Sequence, residues 1–427
     1  MADEEILRRE LKEKIEEVGP CDILIGIPSY NNSRTIGRVA QAASAGIAKY
    51  FPRHRAVLVN SDGGSQDGTP GVVHEAGLDL ESILVTHRVN PLNKISTPYH
   101  GIPGKGSAFR MIFQLARALN VKACAVVDSD LRSITPEWFE LLLRPVLKEG
   151  YDYVAPFYQR HKYDGTITNS IVYPLTRALY GKRIRQPIGG EFGFTGELAS
   201  HFLDQDVWGT DVARYGIDIW MTTTAIANEA NICQAYLGAK IHDPKDPGAD
   251  LAAMMAQVVG SVFTLMEQHE RLWKNVQATQ PVPLFGFQYD VGLEPITVNV
   301  ERMLRAFELG MKEFIPMWNG VLPEDVLGEL KSLKPGEPDF KFPDELWVRI
   351  IFGFALAAHR KTMTQTHLLK SFTPLYLGRT AWFIQDTHQN THSEVEEKIE
   401  RLCMMFEQKK AYLTEQWNHS PNDGGKP

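Results

Sequence analysis

Basic runs, paired cysteines and long apolar stretches are all missing from this sequence, and each absence removes a class of function. The formal net charge is -7 at pH 7 and the lysines and arginines are scattered, so the basic stripe that nucleic-acid binding needs is not there. Only four cysteines occur, Cys21, Cys124, Cys233 and Cys403, far apart and without a CxxC spacing. They suit neither a zinc site nor a disulfide framework; reduced, buried thiols in a cytoplasmic protein are the expectation. The longest apolar runs, near Ala253–Met266 and Leu346–His359, are too short to span a bilayer, and the second contains Arg349. The stretch "MADEEILRRELKEKIEEVGP" is acidic and helical in period, with no apolar signal core. A soluble cytoplasmic protein that binds neither membrane nor nucleic acid is predicted.

What is there is enough for more than one packed core: 427 residues, 43% apolar and 23% charged. Up to about Tyr158, short β-rich runs alternate with helical stretches. "CDILIGIPS", "RAVLVNS", "SILVTH", "KACAVVD" and "YDYVAPFY" read as strands. "SRTIGRVAQAASAGIAKYF", "KGSAFRMIFQLARAL" and "TPEWFELLLRPVLKEG" read as helices, the last with Thr and Pro at its start and Gly at its end. This alternation predicts an α/β fold with a mostly parallel sheet, whose ligands bind beyond the carboxyl ends of the strands. After about Asp250 only helical periods remain, joined by Pro/Gly-rich connections such as "KPGEPDFKFPDE". The predicted organisation is an N-terminal helical lead (1–20), an α/β domain (21–250), a helical domain (251–420) and a tail (421–427).

The candidate chemistry falls at the predicted strand ends. "VVDSDL" sets Asp128 and Asp130 two apart, which in an extended segment aims both carboxylates the same way. With substrate phosphates they would make half a site for Mg²⁺ or Mn²⁺, although Asp-Ser-Asp is also ordinary turn and cap chemistry. "GIPGKGSAF" brings Lys105, between Gly104 and Gly106, to a helix start, giving either an anion site or a turn with a solvated lysine. It lacks the GxxxxGK[ST] spacing of a P-loop. "QPIGGEFGFTG" offers Gly189, Gly190 and Glu191 before a strand, as a polar-substrate loop or as a tight turn. Asp218 in "YGIDIWMTTTA" is an acid in an apolar helix, hence a structural group or a functional carboxylate with a perturbed pKa. His242 in "GAKIHD" follows a strand, and beside Asp130 it would complete a carboxylate–imidazole metal site.

In their order and spacing, "IPSYNNSRTI", "SDGGSQDGT", "PGKGSA", "VVDSDL", "QPIGGEF", "YGIDI" and "GAKIHD" resemble the glucosyl-3-phosphoglycerate synthases and their relatives, the mannosylglycerate and glucosylglycerate synthases. The resemblance covers about Cys21–Asp250. Its first two motifs are generic to GT-A enzymes, while the set PGKG, DSD, QPxGGE and GxDI is more specific. The helical part looks more like the mannosylglycerate synthase architecture. The resemblance implies a retaining glycosyltransferase of the GT-A, Rossmann-like fold that uses a divalent cation, Mg²⁺ or Mn²⁺. It also implies roles: Asp130 and His242 on the metal; Pro28, Tyr30, Asn31 and Asp62 around base and ribose; Lys105, Asp128 and Ser129 at the nucleotide-sugar. Ile188, Gly189, Gly190 and Glu191 would form the acceptor loop, with Asp218 holding the acceptor hydroxyl, and Arg160 and Thr168 binding the acceptor from elsewhere.

Two departures bear on the substrates. Asn31-Asn32-Ser33 stands where the family often has glutamates, which leaves the base open between UDP, GDP and ADP. Thr166 occupies a position where phosphoglycerate-using members carry an arginine, and losing a bidentate partner weakens phosphate recognition. Arg160 remains to clamp a carboxylate, and Arg177, Lys182, Arg183 and Arg185 are further sources of a phosphate site. The expected reaction moves a hexose, most simply glucose, from an NDP-sugar to the hydroxyl of D-glycerate or 3-phosphoglycerate. Mannosyl transfer from GDP-mannose is the nearest alternative, and a sugar-1-phosphate nucleotidyltransferase the alternative of another class. The helical domain is expected to supply a homodimer interface, to cover the acceptor pocket, or to act as a stabilising appendage.

Overall fold

The computed structural model describes residues 11–76, 93–98, 104–242, 251–289, 291–337 and 339–419. They fall in two compact units that take turns along the chain. The first spans Met1–Gln159, Arg185–Asp243 and Val282–Leu293; the second spans Arg160–Ile184, Pro244–Pro281 and Glu294–Pro427. Composition pointed to one boundary near 250, whereas the chain changes unit five times across these six spans.

The first unit is built on eight strands: β1 (Ile23–Ser29), β2 (Ala56–Asp62), β3 (Asn93–Pro98), β4 (Ala123–Val126), β5 (Tyr153–Gln159), β6 (Phe192–Thr195), β7 (Ile232–Ala239) and β8 (Leu284–Phe285). They lie side by side in the order β8-β7-β5-β6-β4-β1-β2-β3. Every neighbouring pair is parallel except those of β6, which runs against both β4 and β5. The expected α/β architecture with a mostly parallel sheet is therefore present. β1 and β2 are buried along their full length, which explains their nearly continuous apolar runs. Ile23, Ile25 and Ile27, on one face of β1, share a core with Val39, Ala43 and Ile47 of the helix Ile36–Tyr50 and with Trp138, Phe139 and Leu142 of the helix Pro136–Lys148.

The register brings the functional strand ends to one rim. Ser29 pairs with Asp62, and Asp62 with Pro98. Val126 pairs with Gly26 on one side and with Phe192 on the other, so the residues before antiparallel β6 reach the same rim as those after β4. β4 ends at Val126, two residues short of Asp128. The extended spacing that would aim Asp128 and Asp130 alike does not hold, because Asp128 lies past the strand end and Asp130 in the turn that follows. The strand expected at "SILVTH" lies outside the described residues, as do Pro103, Asp243 and the tail after 420.

The second unit is helical, with long helices at Leu251–Gln268, Asp344–His359, Gln365–Thr387 and His392–Asn418. It also holds a pair of two-residue strands, Lys182–Arg183 and Gln280–Pro281, which helical periodicity alone did not foretell. Arg177 is buried in it, with Nε donating to Glu407 at 2.6 Å and the two terminal nitrogens to Glu400 at 2.5 and 2.8 Å. This bidentate staple fastens the helix Tyr173–Tyr180 to His392–Asn418 and accounts for Arg177, a suggested phosphate ligand, in structural terms. The four cysteines are buried and none is in a disulfide. Among the described residues no helix is long and apolar enough to cross a membrane.

Candidate functional site

Five charged side chains converge at the sheet's functional rim. Lys105 opens the helix Lys105–Ala118 and Asp218 lies in the first turn of Ile217–Ala227; Asp128 follows β4, Glu191 precedes β6 and Lys240 follows β7. Their charges alternate along a connected chain. Asp218 Oδ2 lies 3.1 Å from Lys105 Nζ, which is 2.8 Å from Asp128 Oδ1. Asp128 Oδ2 is 3.0 Å from Lys240 Nζ, which is 2.8 Å from Glu191 Oε1. Lys240 also donates to the Gly189 carbonyl at 2.7 Å, and the Tyr158 hydroxyl donates to that same carbonyl. Three carboxylates against two ammonium groups leave one formal negative charge in excess.

Burial and pairing pull these groups in different directions. Burial works to raise the pKa of Asp128, but the charges and hydrogen bonds of Lys105 and Lys240 outweigh it and hold the carboxyl well below its ordinary value. Glu191 is fully buried, and burial pushes its carboxyl up to about 7 against the opposing pull of Lys240. Burial, helped by the negative charge of Asp128, also raises Asp218 despite Lys105. Burial disfavours the Lys105 ammonium, yet Asp128 and Asp218 more than compensate and hold it protonated. Among the described residues, buried Asp218 Oδ1 has no hydrogen-bond donor, although buried carboxylate oxygens are normally satisfied. An incoming hydroxyl would supply that donor.

The glycines around Lys105 serve a purpose other than the expected one. A Cβ on Gly106 would lie 1.9 Å from the Val212 carbonyl, and one on Gly104 2.7 Å from that of Ala213. The Gly106 N–H donates to Arg214 O at 3.1 Å. These residues are small so that the helix start can approach the 3₁₀ segment Asp211–Ala213, and the Gly106 amide is not offered to an anion. The Lys105 ammonium is nonetheless at the rim.

The loops expected to receive base and ribose are laced together. Pro28 is buried in β1, and Tyr30, just past its end, is 62% exposed. Asn31 has a positive φ of 53° and accepts from the Gln66 N–H at 3.0 Å. Asn32 Oδ1 accepts from Tyr30 N–H and from the Ser129 hydroxyl at 2.8 Å, tying the first loop to Asp-Ser-Asp. Asp62 accepts from the Ser29 hydroxyl, the Gly64 and Ser65 amides and the Ser65 hydroxyl. Its carboxylate thus shapes the turn after β2, with both oxygens engaged before any ribose arrives.

For a metal, the segments that carry Asp130 and His242 run side by side, with Asp130 one residue out of register: Leu131 bridges His242 antiparallel, and the Arg132 N–H donates to Ile241 O at 2.8 Å. Both residues are half-buried. One carboxylate and one imidazole fit a divalent ion that is completed by substrate phosphates. Among the described residues no group of three or more His, Cys, Asp or Glu side chains is placed to hold a metal unaided.

In the loop expected to receive the acceptor, half-buried Ile188 leads into Gly189 and Gly190. A Cβ on Gly190 would lie 2.2 Å from Asp128 Oδ2, and its φ is +97°. Arg160 and Thr168 belong to the second unit. There Arg160 Nε lies 4.0 Å from Asp164 Oδ2, and buried Thr168 opens a π-helical turn. The Thr166 hydroxyl is 2.6 Å from that of Tyr376, so in this chain the position has become part of helical packing. Sequence reasoning missed Lys240 and Tyr158. The available signal was a lysine directly after an eight-residue apolar strand, "ICQAYLGAK", at the same rim as the other ends.

No protein-family model matches the chain, and no curated protein matches it. Among solved structures it is similar to glucosyl-3-phosphoglycerate synthase from Mycobacterium tuberculosis in complex with Mn²⁺, UDP and glucosyl-3-phosphoglycerate. The identity is 22%, with 60% of this chain and 83% of that one covered and a TM-score of 0.42. The same synthase with Mg²⁺ and UDP aligns at 23% identity, 58% and 82% coverage and a TM-score of 0.43. A structure described only as a mycobacterial protein aligns at 24% identity, 59% and 77% coverage and a TM-score of 0.42. At these values the likeness does not extend to function.

Proposed function

We propose that the first unit is a divalent-cation-dependent, retaining glycosyltransferase of GT-A type. It moves a hexose, glucose in the simplest case, from an NDP-sugar to the hydroxyl of D-glycerate or 3-phosphoglycerate. What supports the reading is one observation above all: the Asp218–Lys105–Asp128–Lys240–Glu191 chain ends at an Asp218 oxygen that is buried and lacks a donor. The loop Ile188–Gly190 meets this chain of charges at Lys240 and Asp128, and Tyr30 is exposed at the end of β1.

In this reading Asp218 Oδ1 accepts the acceptor's O–H and orients that oxygen toward the anomeric carbon. Lys105 is held by two carboxylates and offers its remaining N–H to the departing diphosphate. Asp130 and His242 would hold the cation, which supplies charge neutralisation for the leaving group when bound. Asp128, kept ionised by its two lysines, positions Lys105. Lys240 fixes the Gly189 carbonyl and with it the acceptor loop. With the Thr166 hydroxyl committed to Tyr376, unphosphorylated glycerate is at least as good an acceptor as its phosphate ester.

The test is incubation of the purified chain with UDP-, GDP- and ADP-linked glucose and mannose and either acceptor, with and without EDTA. A glycosylglycerate product that disappears with EDTA is expected. Turnover untouched by chelation would remove the cation from the reading. Formation of an NDP-sugar from an NTP and a sugar 1-phosphate would replace the reading with nucleotidyl transfer. A strong preference for the phosphorylated acceptor would refute the inference from Thr166.

A further inference from the structure

The second unit contains a cavity of about 170 Å³ that the proposed reaction does not use. A void of that size has room for a molecule about as large as one aromatic ring. Trp382, Phe383, Ile399 and Leu402 give it an apolar body. Its charged lining is three cations, Arg379, Lys398 and Arg401, against two carboxylates, Asp344 and Asp386. Arg379 donates to Asp344 and to the Phe342 carbonyl, and Lys398 donates to Asp386. Arg401 is then the lining cation left without a carboxylate among the described residues.

Arg379 is the second observation. It is 3% exposed, and its guanidinium carbon stands 4.4 Å from the Trp382 ring centroid. Its Nε–H is buried without an acceptor among the described residues. An unmet buried donor on a cation is costly, and a ligand oxygen removes that cost. The aromatic wall and the unmet donor are adjacent, which couples an apolar contact to an anionic one.

We propose that this cavity is a binding site for a small anion with a ring-sized apolar body, a carboxylate or a phosphate ester. Its acidic oxygen takes the Arg379 Nε–H and faces Arg401, and its ring packs on Trp382. Thr166, Asn169 and Ser170, from the segment that also carries Thr168, complete its lining, and the proposal does not rest on the activity proposed for the first unit.

Calorimetric titration of the full chain with benzoate, phenyl phosphate and benzyl alcohol tests it. Both anions are expected to bind once per chain, with the neutral alcohol at least about tenfold weaker, as expected when a charge-assisted hydrogen bond is lost. Arg401→Gln should weaken both anions about fivefold or more, and Arg379→Lys, which keeps the charge but removes the Nε–H, should weaken them further. Lys105→Gln, which removes a cation from the first unit, should leave the binding of both anions unchanged, which separates this cavity from any anion site there. The proposal is overturned if neither anion binds, if benzyl alcohol binds as well, or if both arginine variants bind normally. Should Arg379→Lys fail to fold, Arg401→Gln decides alone, because Arg401 is exposed.

Discussion

Lys240 Nζ lies 3.0 Å from Asp128 Oδ2 while donating to both oxygens of fully buried Glu191 at 2.8 and 3.0 Å. One ammonium thus compensates a carboxylate at the rim and another in the core. Above pH 7, where Glu191 is ionised, Lys240→Met strands its charge and should cost about 3–5 kcal/mol, the usual penalty for breaking a buried pair. Adding Glu191→Leu should recover much of that loss, since Asp128 still has Lys105. Urea denaturation of the single and double variants measures both. Additive losses in the double variant would contradict the pairing.

Glu191 gives a pH signature of its own. Folded, it keeps its proton to about pH 7; its ordinary pKa is 4.5. The folded state therefore binds this proton more tightly than the unfolded state. The resulting stability is full below pH 4.5 and is lost as pH rises to about 7. Glu191→Gln should flatten the melting temperature over that window. Asp128, held well below its ordinary 3.8, works oppositely, and its contribution should still vanish under stronger acid. Parallel pH profiles for the two proteins between 4.5 and 7 would refute the assignment.

Gly190→Ala puts a methyl group 2.2 Å from Asp128 Oδ2 at a φ of +97°, so Asp128 must leave its lysines or the loop must move. Loss of stability together with loss of the proposed transferase activity is expected. Gly71→Ala is the control: in the helix Thr69–Glu75 its Cβ would meet nothing within 4 Å, and a gain of up to about 1 kcal/mol is expected. Thermal melts and turnover of the two variants settle it; an unharmed Gly190→Ala protein would mean that Asp128 is not confined.

Asp218→Asn removes the charge but keeps the shape. Turnover should fall about 100-fold or more, as for removal of a group that positions a reacting oxygen. Nucleotide affinity should persist, and so should the fold, since Lys105 retains Asp128. A variant that keeps its kcat would exclude Asp218 from contact with the acceptor.

The apolar runs foretold β1, β2, β5 and the helices at 36–50, 105–118 and 136–148, because buried parallel strands and amphipathic helices write their periods locally. Asp128 was found for the wrong geometric reason. The strand stops at Val126, and what aims the carboxylate is a pair of lysines 23 residues before it and 112 after it in sequence. Lys240 went unnoticed because its partners lie on other strands, and pairing at that separation leaves no local mark. Gly104 and Gly106 looked like an anion cradle, but their smallness answers to a carbonyl of Val212 and one of Ala213, which only the fold brings near.

The alternation of the two units decides how the polypeptide can be divided. A fragment stopped at residue 250 would lose β8 and the Pro283 carbonyl that receives the Gln234 N–H, turning β7 into a bare edge open to pairing with other chains. The same fragment would keep Arg177 and lose Glu400 and Glu407, leaving a buried cation with no counter-charge. The two units therefore cannot be separated by a single cut near residue 250: each is completed in sequence only after a segment of the other.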